Sequence, residues 1–147
     1  MKYNFKIKKE IIGFSASCIE LNGCRTQADD LGQLRINAKE ALDLFLSEDE
    51  SSNLIFKKPK ALNSKSVITI EVDPAVVLAM SLRQVRIKQG KTQFQMMQFL
   101  KIKNLSNYQR LENPKKTNPE FRTLIWLIKK LPELDLAKII NSYKIKA

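Results

Sequence analysis

Histidine is absent from all 147 residues of this chain. Without it the commonest general base and nucleophile activator is missing, so an enzyme built here would have to work through carboxylates and a bound metal. Cysteine is nearly absent as well. Cys18 and Cys24 are the only two, and without histidine they are too few for a structural zinc site. A disulfide across a hairpin is open to them, but two reduced, partly buried thiols in a cytosolic chain are the expectation. No apolar run approaches the length of a membrane span. Met1-Lys2-Tyr3-Asn4-Phe5-Lys6 alternates polar and apolar residues where a secretory signal would open an apolar block. A cytoplasmic protein is the default expectation.

Acidic residues are scarce in one half only. Residues 1–73 hold 11 Lys and Arg against 11 Asp and Glu, whereas residues 74–147 hold 15 against 4, so the whole net charge of +11 lies in the second half. A basic half beside a neutral one is the balance of a nucleic-acid-binding module joined to something else. The chain is long enough for two small domains, which we place at residues 1–73 and 74–147.

The first half reads as strand, strand, strand, helix, strand. Lys2 to Lys8 alternates, with Tyr3, Phe5 and Ile7 on one side and Lys or Asn on the other. Lys9-Glu10 is the expected tight turn. Alternation resumes from Ile11, with Ile12, Phe14, Ala16 and Cys18 on one face. Asn22-Gly23 is a turn signal before a short third strand over 24–27. Asp30 and Gln33 pair as caps of a helix in which Leu31, Leu34, Ala38, Ala41, Leu42, Phe45 and Leu46 form one stripe; Ser47 ends it and 48–53 become loop. Residues 54–66 carry no single pattern, with Lys57-Lys58-Pro59-Lys60 reading as an extended connection, and Val67 to Val72 read as a β-branched strand.

Asp73-Pro74 opens the second half as a helix N-terminus, with Val77, Leu78, Leu82 and Val85 as its apolar face and Gly90 as its stop. Thr92 and Gln95 make a capping box, and Phe94, Met97 and Leu100 recur at helical spacing. After a turn at 101–103, a second helix turns Leu105, Tyr108 and Leu111 inward. Asn113-Pro114 breaks the chain. A helix over 118–130, packing Phe121, Leu124, Ile125, Leu127 and Ile128 around Trp126, and another over 133–143 complete five helices.

Thr92-Gln93, Leu100 and Ile102 around the turn, and Arg110-Leu111-Glu112-Asn113 resemble the phage-repressor helix-turn-helix family. The chain departs from that pattern with Met97 in place of a small residue, Lys101 in place of glycine and one extra residue before Tyr108. The resemblance implies a recognition helix in the DNA major groove. Asn104, Ser106, Asn107 and Gln109 are the candidate base readers, because Asn and Gln match adenine and Ser serves either base type. Gln93, Arg110, Lys103, Lys115 and Lys116 are the candidate phosphate holders.

Lys2-Tyr3, Glu20-Leu21-Asn22-Gly23-Cys24 and Asn37-Ala38-Lys39-Glu40-Ala41-Leu42 are similar to the HicB antitoxin family, with Asn22 where that family has Pro and Ala28 where it often has Gly. The resemblance implies an α+β fold: a β-β-β-α-β partial RNase H-like domain followed by the all-α DNA-binding domain. It implies a type II antitoxin that binds and neutralises a HicA-type mRNA-cleaving toxin and represses its own operon, working as a homodimer or higher oligomer without cofactor or catalysis. The alternative is a stand-alone helix-turn-helix regulator with a sensing first domain. A nuclease reading would need Asp29, Asp30, Glu40 and Asp43 as metal ligands, though caps and an exposed helix face account for them more simply.

Overall fold

Alternating strands and amphipathic helices sort into two groups in the computed structural model, which describes residues 1–47 and 53–143. The fold is mixed α+β, with two compact units: among the described residues the first holds 1–47 and 55–73, and the second holds 74–143 together with Asn53 and Leu54. The loop expected over 48–53 lies outside the described residues, apart from Asn53.

In the first unit β1 (Lys2–Lys9), β2 (Phe14–Cys18), β3 (Arg25–Ala28) and β4 (Val67–Glu71) form one antiparallel sheet in the order β3-β2-β1-β4. Register follows the hydrophobic pattern: Phe5 lies opposite Cys18 on one side and Ile68 on the other, and Tyr3 lies opposite Ile70. Helix α1 (Leu31–Leu46) packs on the sheet with Leu34, Ala38, Leu42 and Leu46 fully buried. Burial of each leucine contributes ~1.5–3 kcal/mol. The Asp30 side chain accepts the Gln33 N–H at 2.8 Å, whereas the Gln33 side chain turns forward to Asn37. Leu31 is exposed and Phe45 only half-buried, so the stripe is narrower than its sequence.

Two expectations for the sheet are corrected. The first hairpin turns at 10–13, where the Glu10 N–H meets the Gly13 carbonyl at 3.1 Å, and Ile11 and Ile12 ride its tip at 103% and 83% exposure. Gly13 sets this turn. Its φ is +71°, and a Cβ there would stand 2.3 Å from the Ala28 carbonyl oxygen, so only glycine fits and pairing begins after it. Asn4, expected on the solvated face of β1, is 1% exposed. Its Nδ2 donates to the Glu20 carboxylate and to the Lys60 carbonyl at 2.6 Å, because the extended segment of 54–66 runs past it. Tyr3 anchors the same segment through its hydroxyl, which donates to the Lys57 carbonyl at 2.9 Å.

The second unit begins with α2 (Pro74–Lys88), which ends in a left-handed Gly90 at φ +64°, the Lys91 N–H closing back to the Arg86 carbonyl at 3.1 Å. Then come α3 (Gln93–Phe99), α4 (Leu105–Glu112), α5 (Phe121–Lys130), a 3₁₀ turn (Pro132–Leu134) and α6 (Leu136–Asn141). Leu82, Val85, Met96, Leu100, Tyr108 and Leu127 lie in its core.

Here too the periodicity misleads in places. Helix α3 docks through Met96 and Leu100 with Met97 at the margin, leaving Phe94 exposed. In α5, which starts at Phe121 rather than at 118, only Leu127 is buried; Phe121 is 77% exposed, and Ile125 and Ile128 also face solvent. Trp126 is held at the surface by its Nε1–H, which donates to the Leu100 carbonyl at 2.8 Å, with the Lys130 ammonium 4.9 Å from the ring centre. The last helix is interrupted because Asp135 takes φ +39°, from which its side chain caps α6 at the Lys138 N–H.

Candidate nucleic-acid interface

Thr92 and Gln95 start α3 as a complete capping box, with reciprocal bonds of 3.1 and 2.9 Å. The helix closes at Leu100, and Lys101 follows in the left-handed region at φ +55°. That is the turn position at which the helix-turn-helix resemblance has glycine, and lysine accepts the conformation at a cost. Asn104 then caps α4, its Oδ1 accepting the Asn107 N–H at 2.9 Å.

What fixes α4 against α2 and α3 is a buried carboxylate. Glu112 is 1% exposed. Arg86 of α2 grips it with two donors, Nε at 2.6 Å and Nη2 at 3.0 Å, while Nη1 reaches the Lys91 carbonyl at 3.1 Å. Burial works against the Arg86 charge, but the adjoining Glu112 carboxylate outweighs it and holds the guanidinium pKa above its ordinary value. Tyr108, one turn before Glu112, donates its hydroxyl to the same carboxylate. Burial, and then the Glu112 charge, push the phenol pKa well up, so it stays a donor. Gln93 of α3 adds a bond from Nε2 at 3.2 Å, and its Oε1 accepts from Gln109 at 3.0 Å. Three helices thus meet at one acid, the arrangement in which a buried ion pair is adequately solvated by the protein.

The candidate residues divide accordingly. Ser106, Asn107 and Arg110 are exposed along α4, with no side-chain hydrogen-bond partner among the described residues. Gln93 and Gln109 are half-buried and tied to each other, and Asn104 is engaged as a cap. Lys103 is exposed in the turn before α4, and Lys115 and Lys116 are exposed just after it, where the Asn113 side chain and carbonyl take their N–H groups at 2.9 and 3.0 Å. Ser106, Gln109, Arg110, Asn113 and Lys116 together line a hollow of about 600 Å³. Lys103, Asn104 and Lys115 are not part of that hollow. Asn113 and the Arg86–Tyr108–Glu112 cluster were not among the residues singled out as sites. One signal pointed to them: Glu112 is an acid in a half that has only 4, and it sits one position from the buried Leu111.

In the first unit, Asp30 is used as a cap and Asp43 accepts from Lys39 at 2.5 Å and from the Asp73 N–H at 3.0 Å. Asp29 and Glu40 are exposed, and no metal-holding group of three acidic, cysteine or histidine side chains occurs among the described residues. Cys18 and Cys24 are free and buried. Among the described residues no helix is long and apolar enough to cross a membrane. No protein-family model and no curated protein matches the chain.

Proposed function

We propose that the chain is a HicB-type antitoxin. In this reading residues 1–73, a partial RNase H-like domain, bind and mask a HicA-type ribonuclease toxin, and residues 74–147 lay α4 in the major groove of operator DNA to repress the operon. Two copies would be needed for a palindromic site, with recognition helices about 34 Å apart.

The observation that carries the DNA part is α4 itself. It is held on a rigid buried cluster, and it exposes Ser106, Asn107 and Arg110 without partners, between Lys103 on one side and Lys115 and Lys116 on the other. An unpaired amide, a hydroxyl and a guanidinium on one short helix, with lysines flanking its two ends, suit base reading with phosphate holding. The antitoxin part rests on the strand-and-helix motifs of the first half and on its neutral charge beside the basic half.

The test uses the full chain. Fluorescence anisotropy should give tighter binding to DNA from its own promoter than to random DNA, and co-expression with an adjacent small toxin gene should relieve growth arrest and yield a co-purified complex. Promoter binding with no such partner would favour the stand-alone regulator. Equal affinity for both DNAs would defeat the repressor assignment.

A further inference from the structure

Strands β2 and β3 pair Phe14 with Ala28, Ser15 with Gln27, Ala16 with Thr26 and Ser17 with Arg25. One step further along that register, Cys18 faces Cys24, and the Cys18 N–H donates to the Cys24 carbonyl at 2.8 Å. We propose that these two thiols are a modification site, closing to a reversible intramolecular disulfide when a hydroperoxide reaches the first unit.

The geometry permits the bond. Residues directly opposite in an antiparallel pair have Cα atoms about 4.5–5.5 Å apart, inside the range a disulfide spans. Their Cβ atoms lie about 4.5–5.5 Å apart, at or just beyond the upper end of that range, so the strands need to close only slightly. A bond formed under such mild tension is of the readily reduced kind. The sulfurs are also unequal. The Cys18 pKa is held below the usual thiol value, chiefly by the neighbouring Cys24 thiol and against burial, while the Cys18 Sγ itself donates to the Glu20 carboxylate at 3.6 Å. The Cys24 pKa is pushed up, first by its bond with Cys18 and then by burial. Cys18, the more exposed of the two at 7% against 3%, is assigned as the nucleophile and Cys24 as the resolving thiol.

With hydrogen peroxide as the hydroperoxide, the Cys18 thiolate attacks one oxygen. The S–O bond forms, the O–O bond breaks, and the departing hydroxide takes a proton to become water. The Cys24 sulfur then attacks the Cys18 sulfenic acid. The S–S bond forms, the S–O bond breaks, and the second hydroxide leaves as water with the Cys24 proton. The two thiols lose two electrons and the peroxide gains them; a small dithiol reverses the change.

The experiment treats the reduced full-length protein with a few equivalents of hydrogen peroxide, blocks remaining thiols with N-ethylmaleimide and measures intact mass. A monomer lighter by two hydrogen atoms, unlabelled at Cys18 and Cys24 and restored by dithiothreitol, is the expected result. In Cys24→Ser, dimedone should trap Cys18 as a sulfenic acid, while Cys18→Ser should leave Cys24 unoxidised; circular dichroism checks that both variants fold. Full double maleimide labelling, addition of two oxygen atoms, or a disulfide between chains would each overturn the proposal, and the wild-type measurement decides it even if a variant unfolds.

Discussion

Glu112 takes donors from Arg86, Tyr108 and Gln93, which makes it the residue on which the orientation of α4 depends most. Glu112→Ala leaves the Arg86 guanidinium buried without its counter-charge, and we expect a loss of ~3–5 kcal/mol in urea unfolding. Tyr108 tests the same cluster through pH. Its folded pKa lies above the unfolded value of 10.0, so its contribution to stability is fully present below that pH and is lost as pH rises toward the folded value. Urea unfolding at about pH 8 and about pH 11 should therefore show a smaller drop for Tyr108→Phe than for the wild type; an unchanged drop would mean the phenol is not protected. Asn107 is exposed and unpaired, so under the proposed function Asn107→Ala should lose ~1–3 kcal/mol of preference for operator over random DNA with little change in stability.

At the scale of elements, caps and turns decide more than apolar periodicity. Asn104→Ala removes the α4 cap and should cost ~1 kcal/mol. Ile12→Ser, at the exposed hairpin tip, should stay within ~0.5 kcal/mol of the wild type although it replaces a large apolar residue. Urea titrations compare the two. The order of the first six elements, the α1 cap at Asp30 and the capping box at Thr92 could all be read from the residues, since each is a local signal. What could not be read depends on who lies opposite. The first turn moved because Gly13 packs on Ala28, fifteen positions away, and Asn4 is buried because Glu20 and Lys60 come to it. The α5 stripe of Phe121, Ile125 and Ile128 has helical spacing, but among the described residues only the Leu127 side of that helix is fully buried. In the candidate interface the exposed positions of α4 were legible, whereas the engagement of Gln93 with Gln109 was not, because amide pairs between helices leave no periodic trace.

For the molecule as a whole, the uneven charge predicts a salt-dependent partner for the second half. With 15 Lys and Arg against 4 acids there, under the proposed function DNA affinity should fall steeply with salt, and Lys116→Ala should flatten the slope by about one counterion while weakening operator and random DNA alike. Anisotropy titrations across salt concentrations measure both. The sheet order carries a consequence for synthesis. Strand β1 gains β2 almost as soon as it leaves the ribosome, but its other side waits for β4, with Lys2 opposite Glu71. At about 5–20 residues per second, that edge stays open for roughly 3–12 s. An unpaired strand carrying Tyr3, Phe5 and Ile7 is a template for neighbouring chains in that interval. Lys2, Lys6 and Lys8, spaced along its opposite face, put like charges on that strand, and replacing them with Ser should raise aggregation during synthesis.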